Sequence, residues 1–451
     1  RRSGLLTAAV LASVLLAGAA AAPGPPVLSG PVPVPVAAPT AFRLTGSTLF
    51  VGAADQSIAA YPVPALLAAA RPDPRPIWRV RLAGWSDTLR WVADAGVLLA
   101  TIYPGSGGGS GPRPDRAPQV VALDGRTGRT LWTDGPATVL DAPPGGYGLL
   151  QVLRVGVPDQ LRWTDLRSGR VAWSRALSLG TQADLADPAA SDPAAPAPGA
   201  PDLARPGRVL LTEPSGSAVL LDEATGTAIA GGELGSLGGN PLLFSGPAGG
   251  PPDPFAGRLG LLILRGEVLV HHITGRASSP GVTGTLTAFE LATLGRMWSV
   301  VGPFSGDPVG CAPLVCLSGI NGTVAVDPGT GAVRWSAPQW RAGSELPDGR
   351  VLAASRSAPA RTALLDPATG RVTTEFPGAW QALATGTSSR VLLVSEVDAH
   401  RSAVAVLDTG APGPRVIDQL PDVEGRTCQA AGPALACEDG QLRVWWSTTA
   451  P

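Results

Sequence analysis

The sequence contains no lysine. All 34 basic residues are arginine, set against 35 acidic ones for a net charge of −1. This excludes lysine chemistry such as a Schiff base or a phosphate-loop lysine. It also leaves no basic footprint for nucleic acid. Asparagine occurs only at Asn240 and Asn321, and there are three histidines. His271 and His272 are neighbours in an apolar run. Adjacent strand residues point to opposite faces, so they do not share one metal. His400 falls in a polar loop. No C-x-x-C, zinc-type Cys/His set or C-x-x-C-H haem site is present. Long helical patterns are missing beyond the first two dozen residues. Glycine (58) and proline (47) are abundant instead. Short apolar runs between such turn formers read as many strands joined by loops.

The amino-terminal stretch RRSGLLTAAVLASVLLAGAAAA places an uncharged run, Gly4–Ala22, behind two arginines. Its length borders a signal peptide and a single membrane span, with the arginines on the cytoplasmic side. Residues 1–22 are therefore expected to be a signal peptide or a hydrophobic anchor helix. Residues 23–40, rich in Pro and Val, are expected to be an extended spacer. The body is expected over 41–451, outside the cytoplasm. The sequence does not begin with Met, so an upstream segment is part of this expectation. The four cysteines form two close pairs, Cys311/Cys316 and Cys428/Cys437, each bracketing a turn that contains proline. Facing hairpin residues lie within disulfide reach, so both pairs are expected to be bridged in an oxidising compartment.

The stretch VVALDGRTGRTLW, Val120–Trp132, recurs in weaker copies. Aligned on the acid they carry Asp124, Asp165, Asp222, Glu290, Asp327, Asp366 and Asp408, at steps of 37 to 68 residues. Four copies place a Trp eight positions later: Trp132, Trp173, Trp298 and Trp335. The shorter steps match a four-stranded propeller blade. In each copy an apolar strand precedes the acid, which can accept backbone N–H groups ahead of it. Gly128, Gly169 and Gly331 suit a left-handed turn position, and the Trp is placed for packing between blades. Degenerate units at 42–82 and 427–448 are expected to close the ring together. In the final strand Trp445 and Trp446 put one ring on each face, one of them in the core. The count is set at eight blades, with seven and nine open. Insertions stand out at 104–119, 183–208, 246–257 and 274–283. The acids are capping residues here, and neither DPATG nor GSGGGSG is followed by the helix that cradles phosphate.

The pattern A-x-D-x-x-T-G-x-x-x-W resembles the tryptophan-docking repeat of the quinoprotein-like, or PQQ-like, propellers. It is complete at Ala122/Asp124/Thr127/Gly128/Trp132 and at Ala325/Asp327/Thr330/Gly331/Trp335. The resemblance implies a single all-β propeller of four-stranded antiparallel blades. The family includes quinone-dependent dehydrogenases, outer-membrane assembly scaffolds and extracellular sensor domains of kinases. The Arg-only, Ala/Pro-rich style is similar to actinobacterial members. The dehydrogenases carry adjacent cysteines and a calcium set containing Asn, and neither can be placed on this chain. The expectation is therefore a non-enzymatic module with no cofactor and no metal. It would be membrane-tethered or secreted, binding a protein, peptide or envelope glycan at the propeller mouth. A sensor domain of a receptor kinase and a quinone-dependent dehydrogenase are the alternatives.

Overall fold

The structure is a computed structural model and describes residues 28–68, 75–105, 117–142, 145–153, 157–178, 181–186, 207–213, 215–234, 259–264, 267–274, 283–302, 308–319, 321–383, 390–398, 401–408, 410–421, 423, 428–431, 434–438 and 441–447. The described strands form nine antiparallel sheets of four strands each. Eight are consecutive in the chain: 39–81, 84–134, 137–176, 182–233, 259–302, 308–337, 340–377 and 380–421. We number these blades 1 to 8. The ninth combines 428–431, 434–438 and 442–447 with β1, Leu28–Pro33, from the other end of the chain.

The ring thus has nine blades, not eight, and the difference lies in its closure. Merging the two degenerate ends into one blade gives eight. Each end in fact builds its own blade, because residues 28–33 are a strand and not part of a free spacer. β1 pairs with β36, Leu442–Ser447, from Leu28↔Ser447 to Pro33↔Arg443. It occupies the outer edge of its sheet, where a strand needs only one row of hydrogen bonds. That edge tolerates Pro31 and Pro33, which have no N–H to give. Residues 39 and 40 already belong to the first strand of blade 1, β2, Pro39–Leu44. The expected N-terminal helix over 1–22 lies outside the described residues.

Burial follows position in the blade. In blade 2 the first strand, β6 (Gly84–Val92), alternates between buried and partly exposed residues, whereas β7 (Val97–Pro104) opens with four buried ones. Middle strands are covered on both faces by neighbouring blades, which is why they read as continuous apolar runs rather than alternating ones. Nine separate hydrophobic clusters fill the nine seams. One joins Phe50 and Ile58 of blade 1 to Leu98 and Val121 of blade 2. Another joins Val404 of blade 8 to Leu435 and Trp445 of blade 9. The outer strands leave Val333, Val372 and Val416 exposed at the rim.

A six-residue helix, α1 (Val63–Ala68), replaces the turn between the last two strands of blade 1. Its Val63 and Leu66 are fully buried against blade 9. No helix among the described residues is long and apolar enough to cross a membrane.

Candidate functional site

The ring has two ends, and the repeat motif occupies one of them. At this turn end Asp124 Oδ1 accepts the N–H of Arg126 (3.2 Å), the N–H of Thr127 (3.0 Å) and the Thr127 hydroxyl (2.8 Å). Asp165 does the same with Arg167 and Ser168, and Asp366 accepts both the N–H and the hydroxyl of Thr369. The Thr127 hydroxyl and backbone hold Asp124 below the usual carboxylate range, against the opposing pull of burial. Asp165 is lowered by the Ser168 N–H first, and Asp327 by Arg334 first. These carboxylates are committed to shaping turns.

The glycine and the tryptophan of the motif meet across seams. Trp132 Nε1 donates to Leu166 O of the next blade at 2.8 Å, and its ring lies on Gly169. Trp173 reaches Glu223 O (2.6 Å), Trp298 reaches Pro328 O (2.5 Å) and Trp335 reaches Pro367 O (2.8 Å). Trp78, outside the aligned copies, reaches Gly125 O at 2.9 Å over Gly128. A Cβ on Gly128 would sit 2.6 Å from the Trp78 ring, and the residue is at φ 71°. Glycine is required there twice over, for space and for the left-handed backbone.

Between blades 4 and 5 the pairing is inverted. Ala230 stands where the Trp would be, and the receiving glycine is replaced by Leu294, at φ 55° and 3% exposed. Leu294 fills the space the indole would take and packs with Ala230, Phe289 and Val268. Between blades 7 and 8 the Trp position is Thr374. There Arg350 Nη1 donates to Ala411 O at 2.7 Å while Asp348 Oδ2 receives Arg350 Nε at 2.7 Å and Gly410 N at 3.3 Å. Burial raises the Asp348 pKa, but the bonds from Arg350 and Gly410 outweigh it and the net direction is down.

The opposite end, the mouth, is built differently. Three of its seams are tied by buried hydroxyls. Thr323 Oγ1 accepts Ala342 N and donates to Trp340 O, both at 2.8 Å. Thr362 Oγ1 donates to Gly378 O (2.7 Å) and accepts Trp380 N (2.9 Å), and Ser402 donates to Val423 O at 2.6 Å. Between blades 1 and 2, by contrast, Thr40 Oγ1, Ser86 Oγ and Asp87 Oδ1 are buried without a hydrogen bond. Native structures rarely leave such atoms unpaired. Thr40 and Ser86 converge: a Cβ on Gly52 would collide with Ser86 Oγ and lie 3.3 Å from Thr40 Oγ1. Thr40 and Asp87 are the extra residues at β-bulges in their inner strands, devices that re-aim side chains. On the other face of the strand from Ser86, Trp85 stacks on its cross-strand partner Tyr103, with ring centroids 5.1 Å apart. Burial raises the Tyr103 pKa, and the charge of Asp87 and a hydrogen bond to it add to the shift. Gln56 Nε2 donates to Gly105 O at 2.9 Å at the same corner.

Among the tryptophans whose side chains are described, Trp85 stands apart. It belongs to no hydrophobic seam cluster and docks on no neighbouring turn. Of the insertions read from the sequence, 104–119, 246–257 and 274–283 leave from strand ends at the mouth, and 183–208 leaves from the turn end. Sequence reading singled out none of Thr40, Ser86, Trp85, Asp87 and Tyr103. The available signal was Trp85 itself, a Trp off the repeat position, in the strand paired with the one that runs into the first insertion.

The cysteines serve the frame. Cys428 and Cys437 face each other in register and are bridged, with Cα atoms 4.1 Å apart. Cys311 and Cys316 are also bridged, at 5.7 Å, but they are not facing residues. Cys316 pairs with Val309 and Cys311 with Leu314, so this bridge runs diagonally. His271 and His272 lie on β19, Glu267–Thr274, and His400 lies outside the described residues. Trp445 is core, at 2% exposed, and Trp446 pairs through its backbone with Ser29 of β1. No group of three or more His, Cys, Asp or Glu able to hold a metal occurs among the described residues.

Residues 65–242 match the family model described as outer membrane protein assembly factor BamB. No curated protein sequence matches the chain. Among solved structures it is similar to BamB from Moraxella catarrhalis, with 14% identity, 93% of this chain and 98% of that one covered, and a TM-score of 0.43. The computationally designed Ika8 protein gives 12% identity, 94% and 100% coverage, and 0.46. The quinohemoprotein alcohol dehydrogenase ADHIIG from Pseudomonas putida HK5 gives 13% identity, 78% and 68% coverage, and 0.37. At these scores and identities the three structures speak to neither ligand nor activity.

Proposed function

We propose that this PQQ-like β-propeller repeat protein is a binding or scaffold module whose ligand sits at the mouth of blades 1 and 2. The observation that carries the reading is the contrast between the ends. The turn-end carboxylates are bonded within their own turns, whereas at the mouth Thr40 Oγ1, Ser86 Oγ and Asp87 Oδ1 are buried without a hydrogen bond. Asp87 lies next to Tyr103 and Trp85, aromatic side chains left partly exposed, and Ser86 lies on the other face of the same strand, with Thr40, in the seam with blade 1. Binding sites on rigid scaffolds take this form: apolar surface with a few convergent polar groups. The two disulfides suit an oxidising compartment, and the run Gly4–Ala22 suits export or tethering. We place the module on the extracytoplasmic side of a membrane, tethered or secreted.

The test is retention of envelope components on the immobilised full chain. Trp85→Ala and Asp87→Ala are expected to lose most of the retained material, while Asp366→Asn at the turn end keeps it. Equal retention by all three variants would remove the mouth from the reading. A fragment starting at Ala41 is unsuitable, since it lacks β1 and leaves blade 9 with three strands.

A further inference from the structure

The mouth also carries information about ligand chemistry, and this inference rests on the reading just given. Trp85 and Tyr103 face each other across β6 and β7, with their ring planes 20° apart. β6 is the innermost strand of blade 2, and Tyr103 stands on its outer side. The indole face that Tyr103 leaves uncovered therefore turns toward the centre of the ring. Next to it, on the same strand, the bulge at Asp87 brings a carboxylate to the Tyr103 hydroxyl. Ser86 points to the other face of the strand, where it meets Thr40 and Gly52 in the seam with blade 1.

We propose that this corner binds a neutral carbohydrate chain, with one pyranose ring lying on Trp85 and its hydroxyls donating to Asp87. A pyranose presents an apolar C–H face and a rim of hydroxyls. That matches a flat aromatic surface bordered by acceptors and hydroxyls better than an extended peptide does, whose alternating side chains call for separate pockets. A carboxylate at the rim disfavours uronates and other anionic sugars, since like charges in a half-buried site repel. Aromatic rings with a polar neighbour suit ligands that are apolar on one side and wet on the other.

The experiment is an array of neutral gluco-, galacto-, manno- and N-acetylglucosamine oligosaccharides with anionic uronate chains alongside, probed with the full chain. The best neutral binder is then titrated in solution by tryptophan fluorescence. The expected result is saturable binding of neutral chains, weakened about tenfold or more by Trp85→Ala. Asp87→Asn should weaken it less, and Trp85→Phe, which keeps a platform, should retain part of it. Near-ultraviolet circular dichroism confirms that each variant is folded. No binding on the array, binding of uronates alone, or unchanged affinity in Trp85→Ala would each overturn the proposal. If the array is blank but envelope protein is still lost from Trp85→Ala, the carbohydrate inference falls and the mouth remains a binding site. If envelope retention also ignores Trp85, both fall.

Discussion

The two ends of this ring use similar side chains for opposite purposes. At the turn end Asp124 and Thr127 consume each other's hydrogen-bonding capacity within four residues of chain. At the mouth Ser86 and Thr40 converge from two blades, and their hydroxyls, like Asp87 Oδ1, are buried without a hydrogen bond. A local motif satisfies itself because both partners arrive together in sequence. A site assembled across a seam can stay unsatisfied, because the packing of the two blades holds it in place. The division is not perfect, since Thr164 Oγ1 near the turn end is also buried and unpaired.

The largest expected effect breaks the turn end. Trp335 is 8% exposed and anchors blade 6 to blade 7. Trp335→Ala should cost about 3–5 kcal/mol through lost burial and a cavity, read as a fall in the denaturant midpoint. A loss under about 1 kcal/mol would mean the indole is not holding the seam. Next comes the inverted seam. Ala230→Trp alone should destabilise by about 1–3 kcal/mol, because Leu294 occupies the space. Adding Leu294→Gly should recover part of that, with a coupling of about 1–3 kcal/mol in a double-mutant cycle. Additive effects would show that the two positions do not share one space.

A hydroxyl comparison sharpens the contrast. Thr362→Val removes a donor and acceptor that Gly378 and Trp380 use, and should cost about 1–3 kcal/mol. Ser86→Ala removes an unpaired hydroxyl and should change stability by less than about 0.5 kcal/mol in the free protein. Equal costs would mean that Ser86 has a partner.

Acid affects the turn end. Asp124, Asp165 and Asp327 have folded pKa values lowered from the ordinary one. Their contribution is fully present above the unfolded pKa of about 3.9 and is lost as pH falls through the folded values. Melting temperature should therefore drop below about pH 4. The drop should be shallower in the Asp124→Asn/Asp165→Asn/Asp327→Asn variant, and an identical acid limb would contradict the assignment. The smallest effect belongs to the mouth. Asp87→Asn should bring the Tyr103 pKa partway back toward its ordinary value, since burial, the main cause, remains. Ultraviolet titration of the tyrosinate reads this shift.

The frame was legible because it is written in short spacings. The acid, the glycine four positions on and the Trp eight positions on recur at Asp124, Asp165 and Asp327, and each makes its turn within one hairpin. Even the inverted seam between blades 4 and 5 had a sign in the sequence, Leu294 where five of the other six copies place glycine, though its meaning needed the neighbouring blade. The disulfide pairs were legible as close spacings, but the diagonal course of Cys311–Cys316 was not, because register depends on the whole sheet.

The sequence by itself determined an all-β propeller with tryptophan-docked seams, since hydrogen bonding in a turn and strand periodicity are set by residues a few positions apart. Only the tertiary structure decided the ninth blade and the mouth. Leu28 meets Ser447 across nearly the full chain, and Thr40 meets Ser86 across a seam. Contacts between segments so distant in sequence leave no period or spacing to read, because they are fixed by ring closure and blade packing.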